Sequence, residues 1–142
     1  MPNGLIAKAS TIINFPSSKV WEVLVNPEMI SQFMFGTQVV SEWKEGSSIM
    51  WNGVWNGKPY QDKGKILKFV PEKKLMYSHF SPLAGLPDVA KNYHTLTYEL
   101  FDTGENTLIT LTQDNNSNKK EMEHSQNMWQ TLLFNLKSLM EN

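Results

Sequence analysis

The 142-residue chain contains no cysteine and no arginine. The first absence removes disulfide frameworks, thiolate zinc sites and cysteine nucleophiles from consideration. The second removes the side chain best shaped for bidentate recognition of carboxylate, phosphate or guanine. All thirteen basic residues are therefore lysines, set against fourteen acidic ones for a formal charge of minus one. A chain so balanced has no long-range field to draw it to nucleic acid or to an anionic membrane, and neither is expected as a partner. Long apolar runs are missing as well: no stretch approaches the roughly 20 residues that a membrane-spanning helix needs. The opening MPNGLIAKASTIINF has no basic segment followed by an apolar one, so cytoplasmic residence is expected. Histidine is scarce. His79, His94 and His124 show no metal-ligand spacing, and no Gly-x-Ser-x-Gly elbow, phosphate loop or dinucleotide fingerprint is present. No metal, cofactor or catalytic residue is assigned on this basis.

What the chain does contain is 40% hydrophobic and 19% charged residues, the balance of an ordinary globular protein. The length suits one domain over residues 1–142, able to bury roughly 68–70% of its unfolded surface. Residues 6–15, IAKASTIINF, carry β-branched side chains up to Pro16 and predict a first strand. Ser17 or Ser18 then caps a short helix, SKVWEVLV, with Val20, Trp21, Leu24 and Val25 at helical spacing. Asn26 and Pro27 suit the cap and first position of a second short helix that stops near Gly36. Beyond Thr37 the texture becomes short alternating runs: TQVVSEW, SIMWNGVW, YQDKGKILKFV, LMYSHF, YHTLTYELF and NTLITLTQD. Their connectors are tight, and Asn56-Gly57 is a strong hairpin signal. Six strands in succession predict an antiparallel meander. One connector is longer, SPLAGLPDVAKN from Ser81 to Asn92; it reads as a surface loop with packed anchors or as a flap at a pocket mouth.

A last helix starts at Asn118, with Glu121 three residues on in the manner of a capping box. At about 100° per residue, Met122, Trp129, Leu133, Leu136 and Met140 form one apolar stripe flanked by Leu132 and Leu139. Lys137 is the sole cation after Lys120, which disfavours a helix lying on a membrane and favours one packed on a sheet. Its C-terminal half is continuous Leu and Met, whereas its N-terminal half presents Ser125 and Gln126. A cavity is therefore expected under the first half and tight packing under the second. Phe134 falls on the opposite face, as an isolated exposed aromatic or a homodimer contact.

The order of elements, with FPSSKVWEVLVNPEMISQFM, SEWKEGSSIMW, GKPYQDKGKILKFVPEKKLMYSHF, TLITLTQDN and MWQTLLFNLKSLME, resembles the START-like superfamily. This is also called the SRPBCC or Bet v 1-like helix-grip fold. Within it the closest resemblance is to the subfamily named after the C-terminal domain of the activator of Hsp90 ATPase. The order of these stretches over nearly the whole chain carries the resemblance, more than any one of them. The family's usual glycine before the closing-helix tryptophan is Met128 here, at a position that governs how closely the helix approaches the sheet. The resemblance implies an α+β fold: a seven-stranded curved antiparallel sheet wrapped around a long C-terminal helix, with two short helices between strands 1 and 2. It also implies a hydrophobic cavity between sheet and helix, which relatives use for lipids, sterols, hormones or polyketides; some are cyclases and others assist a chaperone.

Binding of an apolar or amphipathic small molecule is accordingly expected, by a monomer or weak homodimer. An Hsp90-type co-chaperone is the alternative, and a polyketide cyclase-like enzyme a more distant one. Alternation places Leu75, Tyr77 and His79 on one strand face and Ile109, Leu111 and Gln113 on another. The candidate cavity lining is Phe33, Trp43, Trp51, Tyr77, His79, Leu96, Tyr98, Gln113, Gln126, Trp129 and Leu133. His79 and Gln113 are polar groups on apolar faces, and each needs a partner from the protein or from a ligand. Asp62 is expected to support a turn or ladder; paired with His79 it would be the one acid/base arrangement the residue types offer.

Overall fold

The computed structural model describes residues 5–142. The strands are β1 (Leu5–Ile13), β2 (Gln38–Ser41), β3 (Ser48–Trp55), β4 (Lys58–Val70), β5 (Lys74–His79), β6 (His94–Asp102) and β7 (Thr107–Asn116). They form one seven-stranded sheet in the order β1-β7-β6-β5-β4-β3-β2. Every pairing is antiparallel. Helices α1 (Ser17–Leu24) and α2 (Pro27–Phe33) lie between β1 and β2, and the long α3 (Lys119–Glu141) ends the chain. This is the α+β helix-grip architecture, with the curved sheet gripping α3.

Local chemistry explains most of the boundaries. The Asn26 side chain accepts from the N–H groups of Glu28 and Met29, with Pro27 opening α2. Asn56 and Gly57 both take positive φ, 50° and 77°, as a two-residue hairpin turn between twisted strands requires. The Asn118 side chain caps α3 through the N–H of Glu121. The Glu121 carboxylate turns back to the N–H of Ser117, one residue earlier than a standard capping box. Neither serine caps α1. Pro16 occupies that position, the Ser17 N–H donates to Asp102 Oδ2 at 3.1 Å, and the Ser17 hydroxyl pairs with Thr107 Oγ1. The cap is supplied across space by β6, which no local pattern announces.

The buried face of α3 is centred on Ser125, Leu132, Leu133 and Leu136. Met122, Trp129, Leu139 and Met140 stand at its margins, half-buried, and Phe134 is 63% exposed on the far side. The stripe is rotated from the expected one because α3 lies along β1, whose open edge it covers. Gln126 accepts from the Lys8 N–H, Gln130 bonds both backbone groups of Ser10, and Lys137 Nζ donates to the Ile12 carbonyl. Side chains of the helix thereby satisfy the edge of the sheet that would otherwise recruit another strand. Under the C-terminal half, Leu132, Leu133 and Leu136 close against Ile13, Val20, Leu100 and Ile109 in a continuous core. Trp21 meets Phe69 edge-on, ring centroids 5.3 Å apart.

Candidate functional site: a cavity under the first half of the closing helix

Strand β4 outruns its partners, and its register on β5 shifts between Ile66 and Lys68. Beyond the shift, Lys63 and Phe80 exchange backbone hydrogen bonds. At Gly64 the chain comes so close to β5 that a Cβ would sit 1.7 Å from the Ser78 carbonyl oxygen. This close crossing sets Asp62 beside His79. The register continues the inward row outward on both sides, pairing Trp51 with Asp62, Tyr77 with Leu96, His79 with His94, and Leu96 with Gln113.

Above this row is a cavity of about 510 Å³. Its floor is Trp51, Tyr77, Leu96 and Gln113 from the sheet, and its roof is Glu121, Ser125, Met128 and Trp129 from the first three turns of α3. Met34, Phe35 and Thr37 after α2 wall one side. Ser81, Ala84, Leu86 and Asn92 of the β5–β6 connection wall another. That connection, with short 3-10 turns at Pro82–Ala84 and Ala90–Asn92, walls the cavity mouth but leaves Leu83, Leu86 and Val89 exposed instead of packed as anchors. It is tied down by Asp88, which pairs with Lys63 and accepts from the Tyr93 hydroxyl at 2.6 Å. The Lys63 hydrogen bond, then that of Tyr93, holds the Asp88 carboxyl below its usual range. Phe80 stacks on Tyr93, centroids 5.1 Å apart.

The candidate residues divide clearly in space. Trp51, Tyr77, His79, Leu96, Gln113 and Trp129 line the cavity. Phe33, Trp43 and Tyr98 do not; they surround a separate void of about 10 Å³ within the packed core. Leu133 is fully buried among core side chains. Gln126 faces β1, and its neighbour Ser125 takes the inward position. Asp62, expected to support a turn or ladder, is in the middle of β4 and faces the cavity. His94 and Glu121 line it too. His94 was missed because its place depends on strand register, with the usable signal that His79 and His94 bracket the one long connector, and Glu121 because its place depends on where the first turn of α3 crosses the sheet.

The polar groups of the site fall into two sets. Gln113, 5% exposed, donates to Asn116 Oδ1 at 2.9 Å and Ser125 Oγ at 3.1 Å, and accepts from Trp129 Nε1 at 2.8 Å. Its capacity is spent within the protein, pinning α3 to β7. The second set is His79 with Asp62 and His94 with Glu121. His79 Nε2 lies 2.9 Å from Asp62 Oδ2, with the ring edge-on to Trp51 at 4.9 Å. Asp62 Oδ1 is enclosed with no hydrogen-bond partner. His94 Nδ1 is 2.8 Å from the Asp114 carbonyl oxygen, and its Nε2 is 3.7 Å from Glu121 Oε1. Deeper in, the Tyr98 hydroxyl is buried without a partner, and burial pushes its pKa up to about 12. Burial, then Tyr98, raises Tyr77 well above the ordinary tyrosine value. Among the described residues no cluster of three or more His, Asp or Glu side chains could hold a metal ion, and no helix is long and apolar enough to cross a membrane.

The family of Activator of Hsp90 ATPase homolog 1-like proteins matches residues 14–141, from the end of β1 to the end of α3. The chain belongs to this family. No curated protein matches it. Among solved structures, ChR145 from Cytophaga hutchinsonii, determined in solution, is 54% identical; the match covers 100% of this chain and 97% of that one, with a TM-score of 0.87. The Aha1 dimer from Colwellia psychrerythraea shares the fold at 17% identity, covering 96% of each chain with a TM-score of 0.75. CalU16 from Micromonospora echinospora does so at 16% identity, covering 99% of this chain and 84% of that one, with a TM-score of 0.72. The fold is thus shared with proteins of very different sequence.

Proposed function

We propose that the protein binds an apolar or amphipathic small molecule, lipid-like or aromatic, in the cavity between the sheet and α3. The observation that carries this reading is the contrast along one helix. Where Leu132, Leu133 and Leu136 fill the space beneath α3, the core is closed; where Ser125 stands instead, about 510 Å³ is left open. Binding pockets for small molecules range over roughly 300–1,000 Å³ and are mostly apolar with few polar groups. Native mass spectrometry of gently purified protein, compared with its denatured mass, tests the proposal. An added organic mass that leaves on denaturation supports it. Bare protein that also takes up no member of a panel of fatty acids, sterols and aromatic polyketides overturns it.

Family membership favours a second reading, a co-chaperone acting on an Hsp90-type ATPase. Stimulation of its host's Hsp90 by the purified protein would support that role, and unchanged ATPase activity would remove it.

A further inference from the structure

The cavity lining includes two carboxylates, Asp62 and Glu121, and neither lysine nor any other permanent cation. Its two histidines sit on directly paired residues of β5 and β6. The Asp114 carbonyl can only accept, so His94 Nδ1 carries a proton and, in the neutral imidazole, Nε2 presents a lone pair. The Asp62 carboxylate likewise takes the Nε2 proton of His79, which in the neutral imidazole leaves Nδ1 as an acceptor. Nδ1 of His79 has no hydrogen-bond partner among the described residues and is not enclosed. Glu121 Oε1, at 3.7 Å from His94 Nε2, is too far for a hydrogen bond and leaves a gap that a donor can bridge. The His79–Asp62 and His94–Glu121 end of the cavity thus presents acceptors, framed by the faces and edges of Trp51, Tyr77, Phe80 and Trp129, while the Thr37 and Tyr60 hydroxyls of the lining bond each other.

Building on the small-molecule reading above, we infer that the ligand carries a hydrogen-bond-donating head group without negative charge, an amine or a hydroxyl, on an aromatic or otherwise apolar body. Its head donates to His79 Nδ1 and into the gap between His94 and Glu121. An ammonium gains further from the two carboxylates and the tryptophan faces. A carboxylate head at this end would bring a charge of the same sign beside the Asp62 and Glu121 carboxylates.

The test uses three ligands of one shape, 2-naphthylethylamine, 2-naphthaleneethanol and 2-naphthylacetate, titrated into the intact protein at pH 8 and followed by calorimetry. The amine and alcohol are expected to bind at least about tenfold tighter than the carboxylate, the scale set by one unsatisfied group at a desolvated site. Asp62→Asn and, separately, Glu121→Gln should each narrow the gap between amine and carboxylate; the second variant keeps an amide oxygen to accept from the Ser117 N–H and so guards against a folding defect in the first. Carboxylate binding equal to or tighter than the amine and alcohol overturns this inference and leaves the small-molecule reading intact. Absence of binding by all three to folded protein overturns both. Preserved discrimination in both variants overturns the assignment to this acceptor cluster.

Discussion

Replacing Gln113 with leucine separates a structural polar network from a ligand-facing one. In Gln113→Leu the volume is nearly kept while three hydrogen bonds are lost. The losses are unequal. Asn116 Oδ1 still receives the Ser125 hydroxyl at 3.3 Å, and Asn116 Nδ2 still donates to the carbonyls of Leu5 and Gln113. The Trp129 indole N–H has no other partner, and leaving such a donor unsatisfied costs about 1–3 kcal/mol. Adding roughly 1 kcal/mol for the remaining bonds and allowing a similar credit for burying an apolar side chain gives a destabilisation of about 2 kcal/mol. With a urea dependence of about 1–3 kcal/mol/M, the unfolding midpoint should fall by about 1 M. Trp129→Phe alone should cost about 1 kcal/mol, and in the Gln113→Leu background it should cost almost nothing, because the orphaned donor leaves with it. Unfolding of the two single variants and the double variant in urea completes the cycle. Strict additivity, or a midpoint shift in Gln113→Leu below about 0.2 M, would refute the claim that this network holds α3 to β7.

Two further predictions concern the core and the cavity mouth. Tyr98→Phe removes a buried hydroxyl that has no partner, and the adjoining void of about 10 Å³ is at the lower margin of what a water needs; stability should rise by about 1 kcal/mol in urea unfolding, and a loss of similar size would show the hydroxyl to be bonded. Asp88→Asn should raise hydrogen exchange, corrected for intrinsic rates, at the amides of Asn92 and Tyr93 several-fold, because Asp88 anchors the connector to both Lys63 and Tyr93. Since the folded-state pKa of Asp88 is lowered, chiefly by the Lys63 hydrogen bond, its contribution is complete above the unfolded carboxyl value of about 3.9 and fades only as pH falls through the lower folded value. Wild-type protein should therefore reproduce the variant's exchange only in strong acid, and an Asp88→Asn variant with unchanged exchange would contradict the anchor.

Which features were legible before the structure follows from how far apart in the chain their causes lie. Asn26-Pro27, Asn56-Gly57 and Asn118 each act on a neighbour within three residues, so the order of elements could be read from turn and cap chemistry alone. Alternation within a strand is equally local, and it pointed Tyr77 and His79, and Gln113, toward the cavity where they stand. Phe33, Trp43 and Tyr98 were expected at the cavity and yet pack in closed core, because an inward aromatic looks the same in sequence whether space or a neighbour faces it. The cap of α1 and the assembly of the full acceptor cluster could not be read for a different reason. Asp102 reaches Ser17 across 85 positions, and Asp62 reaches His79 only because of the register shift in β4 and the close crossing at Gly64. Gln126 and Ser125 differ by one position, about 100° of helix, and which of them faced the cavity depended on α3 running along the edge of β1. The fold therefore rests on signals that a short window contains, whereas the specificity of the cavity rests on contacts that exist only after the sheet has chosen its register. The architecture should accordingly persist in proteins of very different sequence, as it does at 16% and 17% identity, while the charge and hydrogen-bonding character of this cavity can change with a few substitutions at Asp62, His79, His94 and Glu121.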